Sequence, residues 1–359
     1  MKHLPRRKHL RIVVLALWML AIPMAGLAFA KTAYVLGTWD SCPGGLCGTE
    51  FGVVKHVIGG DSTFFEIRDE NAHAMDQYRG VYPSGAVGLQ IVVLYTADTD
   101  ENGVIDLVQI KKHGSSNFGI LQTSENFLED FDFQMNMYLE VDQSKRLVYV
   151  LTDTNKFFMF DADTLEKLTD VPNTLDFYGL ARDIALDETN ERLWVAIGKT
   201  ARAYDTNTWS WVDYVVFGNL KNVSNAIAVD NENGYVWAIG EDRYSPGEQV
   251  LCREDINSGY EEAFYPTLCA DEATHLAADP MHPSDLYGLM EGGEFWRVDG
   301  AEVDEQSSYY SCDWIEDLGG PELYTQIDMF IEKPLAYRLF PIHRLVEDPF
   351  VIITPQSRR

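Results

Sequence analysis

Four stretches of this chain repeat one pattern, a short apolar run closed by aspartate: residues 138–142 (YLEVD), 183–187 (DIALD), 226–230 (AIAVD) and 275–279 (HLAAD). The closing residues Asp142, Asp187, Asp230 and Asp279 are 45, 43 and 49 positions apart. A polar turn follows each of the first three, and then a second apolar run at 147–151, 193–197 and 235–239. Two runs of alternating or continuous apolar residues joined by a short polar turn read as an antiparallel hairpin. A third strand ends in an Asp-containing turn at Asp161 and at Asp205, with weaker echoes at Asp255 and Asp299, and a more polar fourth strand follows, as at 210–217. The period is therefore that of a unit of three or four short strands.

Such a unit cannot bury both faces of its sheet alone. Neighbouring units must stack, and closing the stack into a ring leaves few exposed edges. The expected fold is an all-β propeller of mostly four-stranded antiparallel sheets. Blades are expected to begin near Gly52, Gly88, Met135, Arg182, Asn225, Thr274 and Gln326, which makes seven, with six as the alternative. The strand at 33–39 is placed to complete the last blade and so join the two ends of the chain.

The apolar-Asp strand, the polar turn and the following Leu-Trp/Tyr-Val strand resemble the YVTN and NHL type of repeat found in secreted bacterial β-propellers. The resemblance is carried by residues 131–300. It implies one propeller domain over 31–359, preceded by an export signal.

The N-terminus fits that expectation. Lys2, Arg6, Arg7, Lys8 and Arg11 precede an apolar run, and Ala28-Phe29-Ala30 supplies a small-x-small cleavage site before Lys31, so residues 1–30 read as a signal peptide removed from the working protein. The expected locations are the periplasm or the extracellular space, with no stable membrane insertion after cleavage. The whole chain carries 28 basic and 56 acidic side chains, a net charge of −28, and cleavage removes five of the basic ones and no acidic one. A mature field of that sign repels phosphate backbones and disfavours nucleic acid as a partner. An oxidising compartment permits disulfides, for which the natural pairs are Cys42 with Cys47 and Cys252 with Cys269, leaving Cys312 over.

Two constellations bear on chemistry. Residues 98–106 read DTDENGVID between two strands. Calcium takes six to eight oxygens, and side chains at loop positions one, three and five converge when a glycine at six turns the chain. Asp98, Asp100 and Asn102 fit those positions, the carbonyl of Val104 and the carboxylate of Asp106 extend the shell, and Gln109 stands where an EF-hand would carry its bidentate Glu. The loop is similar to the strand-flanked calcium loops of integrin-type repeats and of type IV pilus tip adhesin propellers, and implies a structural Ca2+. The competing reading is a solvated acidic turn.

The second constellation is the channel mouth. Residues at the starts of innermost strands converge there, and this chain supplies Asn136, Arg182, Asp183, Asn225, Thr274 and His275. No catalytic signature accompanies them: there is no Gly-x-Ser-x-Gly, no His-Glu-x-x-His and no dinucleotide fingerprint. The expected function is a non-catalytic binding module for a protein, glycan or cell-surface partner. A calcium-assisted hydrolase or lyase of the lactonase kind, with Asp183, Asn225 and His275 at its site, is the alternative.

Overall fold

Strands of six or so residues, apolar on both faces, need a second sheet against each face, and the arrangement found supplies one. The computed structural model describes residues 31–40, 49–58, 60–67, 70–99, 105–128, 135–259, 261–264, 273–280, 285–290, 294–299, 313–317 and 323–333. All of these but Lys31 belong to one unit, Thr32–Arg359. The signal-peptide reading of 1–30 and the cysteines Cys42, Cys47, Cys269 and Cys312 lie outside the described residues. Cys252 is inside them and fully buried.

The described strands form six antiparallel sheets. Blade 1 contains β1 (Thr32–Asp40), β2 (Thr49–Val57) and β3 (Ser62–Ile67). Blade 2 is β4 (Asn71–Val81), β5 (Val87–Ala97), β6 (Leu107–Gly114) and β7 (Ile120–Thr123), and blade 3 is β8 (Met137–Asp142), β9 (Leu147–Thr152) and β10 (Phe157–Asp161). Blade 4 is β11 (Ala181–Asp187), β12 (Arg192–Ile197), β13 (Thr200–Asp205) and β14 (Trp211–Val216). Blade 5 is β15 (Leu220–Asp230), β16 (Tyr235–Asp242), β17 (Gln249–Asp255) and β18 (Glu261–Phe264). Blade 6 is β19 (Ala273–Ala278), β20 (Asp285–Met290), β21 (Glu294–Asp299) and β22 (Asp313–Asp317). The last strand, β23 (Leu323–Ile331), returns to blade 1 and pairs with β1, so that sheet runs β23-β1-β2-β3.

The innermost strands β23, β4, β8, β11, β15 and β19 each pack against the next, and β19 packs against β23. The ring is closed. Its seam is the antiparallel register from Ala33 with Ile331 to Trp39 with Leu323, which realises the expected joining of the two chain ends.

The blades number six, the alternative count, rather than the seven first expected. Gly52 lies within β2 and Gly88 within β5, so neither begins a blade. The sheet expected at Gly52 and the sheet expected at Gln326 are one sheet, made continuous by the β1 to β23 hydrogen bonds. The blade placed at Gly88 starts earlier, at β4. That strand carries His73, Asp76, Gln77 and Arg79 among its apolar residues, because one of its faces looks into the channel, and this hides its apolar period. Blade 3 has three strands. Where a fourth would pair with β10, only the bridges Lys156 with Thr174 and Phe160 with Lys167 form, and Pro172, which has no N–H to give a ladder, stands between them.

Strand alternation builds the core. Ala33 and Val35 of β1 pack with Tyr287 and Leu289 of blade 6, while Tyr34 and Leu36 pack with Met75 and Ile91 of blade 2. The same alternation gives one apolar wedge at every interface, six in all. Each buried Val, Leu or Phe in a wedge stabilises the stack by roughly 1.5–3 kcal/mol.

The repeated aspartates tie the turns. Asp142 Oδ1 accepts from the Ser144 hydroxyl and the Lys145 N–H, Asp187 Oδ1 from the Asn190 N–H, and Asp230 Oδ1 from the N–H groups of Glu232 and Asn233. Asp161 and Asp205 do the same in the next turn of their blades. Four residues after the aspartate the backbone turns left-handed, at Arg146 (φ 59°), Glu191 (φ 54°) and Gly234 (φ 76°). An L side chain is strained there by about 1–2 kcal/mol and glycine is not.

Gly234→Ala should therefore lower stability by about 1 kcal/mol. Asp230→Ala, which strands two backbone donors beside a buried site, should cost more, roughly 2–4 kcal/mol. Urea unfolding midpoints measure both, and an unchanged midpoint for Asp230→Ala would show that the repeated aspartate is not a structural tie.

Candidate binding site in the central channel

A closed ring of six inner strands encloses an axial cavity, here of about 900 Å³. Every innermost strand lines it, with Asp76, Glu140, Asp183, Ile227, His275 and Asp328 as one representative from each. Acidic side chains on strands otherwise apolar need a reason, since an unpaired buried carboxylate is costly.

Three of them are hydrogen-bonded across blades in one repeated way. Asp76 accepts from its neighbour Gln77 N at 2.6 Å and from Val141 N of blade 3 at 2.7 Å. Asp183 accepts from Ile184 N at 2.8 Å and from Ile227 N of blade 5 at 2.7 Å. Asp328 accepts from Met329 N at 2.8 Å and from Met75 N of blade 2 at 2.7 Å. Both oxygens of each carboxyl are thus committed, and each aspartate staples its inner strand to the next. Each such bond contributes about 1.5–3 kcal/mol while the carboxyl is ionised and about 0.5–1.5 kcal/mol once it is protonated. Glu140 differs, for among the described residues its carboxyl accepts no hydrogen bond and forms no ion pair.

Glutamines make a second set of stitches where the ends of the inner strands gather. Gln77 Nε2 donates to Ile331 O, and its Oε1 accepts from Lys333 N at 2.7 Å. Gln143 repeats this one blade on, donating to Gln77 O and accepting from Arg79 N. In each case the side-chain amide pairs with residues two apart on the preceding strand, as a neighbouring strand would. Glu188 takes the position after Gln143 in the series, accepting from Gln143 N at 2.7 Å. Its other oxygen accepts from Lys333 Nζ at 3.2 Å. Lys333 follows β23 in blade 1 and Glu188 follows β11 in blade 4, blades that stand opposite in a ring of six. The ion pair spans the strand-end mouth.

The opposite mouth, at the strand starts, presents Asn136 and Arg182, both exposed. There Tyr138 Oη donates to Ala181 O at 3.0 Å, linking β8 to β11.

Burial dominates the electrostatics. It pushes the Asp328 carboxyl up to about 7 against the pull of the Met75 and Met329 N–H groups, with Asp76 adding repulsion. It pushes Asp76 up to about 6, opposed by the Gln77 N–H and by Lys333. Asp183 is raised by burial. Glu140 is raised well above the usual range by burial and then by the charges of Asp76, Asp328 and Asp183, with Lys333 pulling it down. Burial also takes His73 down to about 4.

Of the residues expected at the mouth, the structure brings Asn136, Arg182, Asp183 and His275 to the channel. Asp183 reaches it as a structural staple. The side chains of Asn225 and Thr274 lie outside the described residues. Sequence reasoning missed Asp76, Glu140, Asp328, Gln77 and Gln143. For the first four the one signal was a charged or amide side chain inside an otherwise apolar strand, whereas Gln143 lies in the polar turn after β8.

In the acidic loop, Asp100, Asn102 and Val104 lie outside the described residues. Asp106 Oδ1 accepts from Thr99 N at 3.0 Å and Oδ2 from Thr99 Oγ1 at 2.6 Å, which holds its carboxyl below the usual range. Asn126 Nδ2 donates to Asp106 O at 2.9 Å. Among the described residues, no three His, Cys, Asp or Glu side chains are placed to hold one metal ion.

No protein-family model matches the chain, and a search of curated proteins gives no relative. Among solved structures, the chain is similar to one from the crystal structure of a nidogen/laminin complex, with a TM-score of 0.54, 9% identity, and coverage of 84% of this chain and 98% of that one. At that identity the likeness is one of fold: this is a β-propeller.

A carboxyl raised by folding binds its proton more tightly in the native state than in the unfolded chain, where it titrates near 4. Between about pH 4 and pH 7 the native state therefore holds more protons, and stability falls as pH rises through that window. Asp328→Asn should flatten this slope at the expense of one staple bond. Denaturation midpoints from pH 4 to 8 measure it, and equal slopes in both proteins would remove Asp328 as its source.

Proposed function

We propose that the mature chain is an exported, non-catalytic propeller that binds a protein partner through its rim, with a calcium ion bracing the loop at 98–106. The observation that carries the binding reading is the apolar surface of β14. Trp211 is 54% and Tyr214 56% exposed, and Val212 beside them is 49% exposed. Large aromatic side chains grouped on a soluble surface mark contact sites. Arg202 lies over the Trp211 ring at 5.3 Å, and Trp211 Nε1 donates to Asp213 O, so the ring is held in place before any partner arrives.

The same strand is chemically closed along its edge. The Tyr214 N–H donates to Asp213 Oδ1 and the Val216 N–H to Glu254 Oε2, so a partner meets side chains here and cannot extend the sheet at those positions. The patch is uncovered for a structural reason. Tyr204 of β13 packs into the wedge shared with blade 3, Arg202 and Tyr214 lie on the same face farther out, and blade 3 has no regular fourth strand to cover them.

The nidogen/laminin neighbour comes from a complex between proteins, which agrees with a binding role. The lactonase-like alternative loses support from Asp183, whose two oxygens are occupied by backbone N–H groups. Export rests on the N-terminal sequence. No helix among the described residues is long and apolar enough to cross a membrane.

Trp211→Asp combined with Tyr214→Asp should leave the melting temperature within a few degrees of wild type and weaken capture of the natural partner at least tenfold. Undiminished capture would move the interface elsewhere. Protein recovered from its source should begin at Lys31, and calcium should raise its melting temperature unless Asp98 and Asp100 are both changed to Ala. An unchanged melting temperature in calcium would remove the metal.

A further inference from the structure

The staples and stitches leave the channel with two unlike ends and one carboxyl that nothing among the described residues satisfies. Lys333 and Glu188, on opposite blades, bar the strand-end mouth with the Gln77 and Gln143 amides beside them. Access is left at the strand starts, where Asn136 and Arg182 are exposed. Of the channel acids, Asp76, Asp183 and Asp328 have both oxygens engaged by N–H groups, and Glu188 is engaged by Gln143 and Lys333. Glu140, deep in the same lumen, has both oxygens unengaged.

We propose that the channel is a one-ended pocket for an alkylammonium or guanidinium group, admitted at the strand-start mouth and held by Glu140. The proposal rests on the binding-module reading but uses a different surface from the β14 patch.

The chemistry follows from what is placed around Glu140. A small metal ion needs several ligands converging on one point, and among the described residues no three acidic, His or Cys side chains do so. An organic cation is larger, carries its own donors and can satisfy a single carboxyl while lying near others. The chain already keeps one such group in the channel, since the Lys333 ammonium pairs with Glu188 and lowers both Glu140 and Asp76. The overall charge of −28 draws cations in and anions away. The cavity of about 900 Å³ has room for a lysine or arginine side chain.

Uptake should depend on pH, because every inner strand except one faces the site with an ionisable group. From β4 come His73, Asp76 and Arg79, from β8 Tyr138 and Glu140, and from β11 Arg182 and Asp183. His275 comes from β19, with Asp279 just beyond it, and Asp328 and Lys333 come with β23. The lining from β15 is Ile227, Ala228 and Val229. Burial, and after it the charges of Asp76, Asp328 and Asp183, favour the protonated form of Glu140. A cation entering must displace that proton, so binding releases a proton and tightens as pH rises.

Isothermal titration of the mature protein with 1,4-diaminobutane, agmatine, acetyl-Gly-Lys-Gly-amide and acetyl-Gly-Arg-Gly-amide tests this at pH 5 and pH 8. The expected result is one site per chain, at least tenfold weaker at pH 5 and in Glu140→Gln. Lys333→Met, which removes the competing ammonium, should bind several-fold more tightly. Binding of the free amines as well as the peptides assigns the pocket to small amines, and binding of the peptides alone assigns it to a partner's side chain. Absence of binding by all four probes, binding indifferent to Glu140→Gln, or displacement of the bound probes by calcium in the Asp98→Ala, Asp100→Ala background overturns the proposal. None of these results bears on the Trp211 and Tyr214 capture experiment, so the two readings fail separately.

Discussion

The pairing of β1 with β23 is the constraint on which the rest depends. It joins residues almost 300 positions apart in one ladder, and without it blade 1 would lose its innermost strand and the ring would become an open arc. An open arc would expose the wedge between blades 6 and 1, where Ala33, Val35, Leu289 and Ile331 meet, and that between blades 1 and 2. The closure entropy of so long a loop grows only slowly with its length. Against it stands a nine-residue strand whose apolar residues feed two wedges.

Closure also explains the polar chemistry of the axis. Inner strands in a ring have one neighbour on the sheet side and none on the axial side, so some of their backbone N–H groups point toward the channel or toward the next blade. Asp76, Asp183 and Asp328 satisfy those donors from one blade to the next, and Gln77 and Gln143 do so at the strand ends. The carboxyls are thereby crowded into one lumen, where burial and mutual repulsion raise them. Structural need in this way creates the electrostatic character of the pocket. Glu140 stands outside the scheme, which is why it is the residue singled out for a ligand.

The rim follows a different logic. Blade 3 ends at three strands because residues 167–174 bridge to β10 at only two points, and the flank of blade 4 beyond it stays open. Asp213 and Glu254 close the β14 edge to further strands while Trp211 and Tyr214 remain on the surface. An edge protected against unspecific pairing, next to aromatic side chains left in water, separates solubility from recognition on one strand.

Much of this was legible in the chain itself. The period of the Asp-closed strands, the hairpins after Asp142, Asp187 and Asp230, and the use of 33–39 to join the ends are local patterns, because strand alternation and Asp-capped turns are written in consecutive residues. The number of blades was not, since β4 hides its apolar period behind His73, Asp76 and Gln77, and since one sheet shared by both termini looks like two until its hydrogen bonds are seen. The channel was read only in part. Asp183 was found through its repeat, whereas Asp76 and Asp328 sit on strands without that motif and Glu140 sits inside one copy of it with no counterpart in the others, and what makes them a group is convergence on an axis. Sequence determined the unit, because a hairpin depends on neighbours in the chain. Tertiary structure decided the ring size, the barred mouth and the unsatisfied carboxyl, because each depends on which distant strands come to face one another.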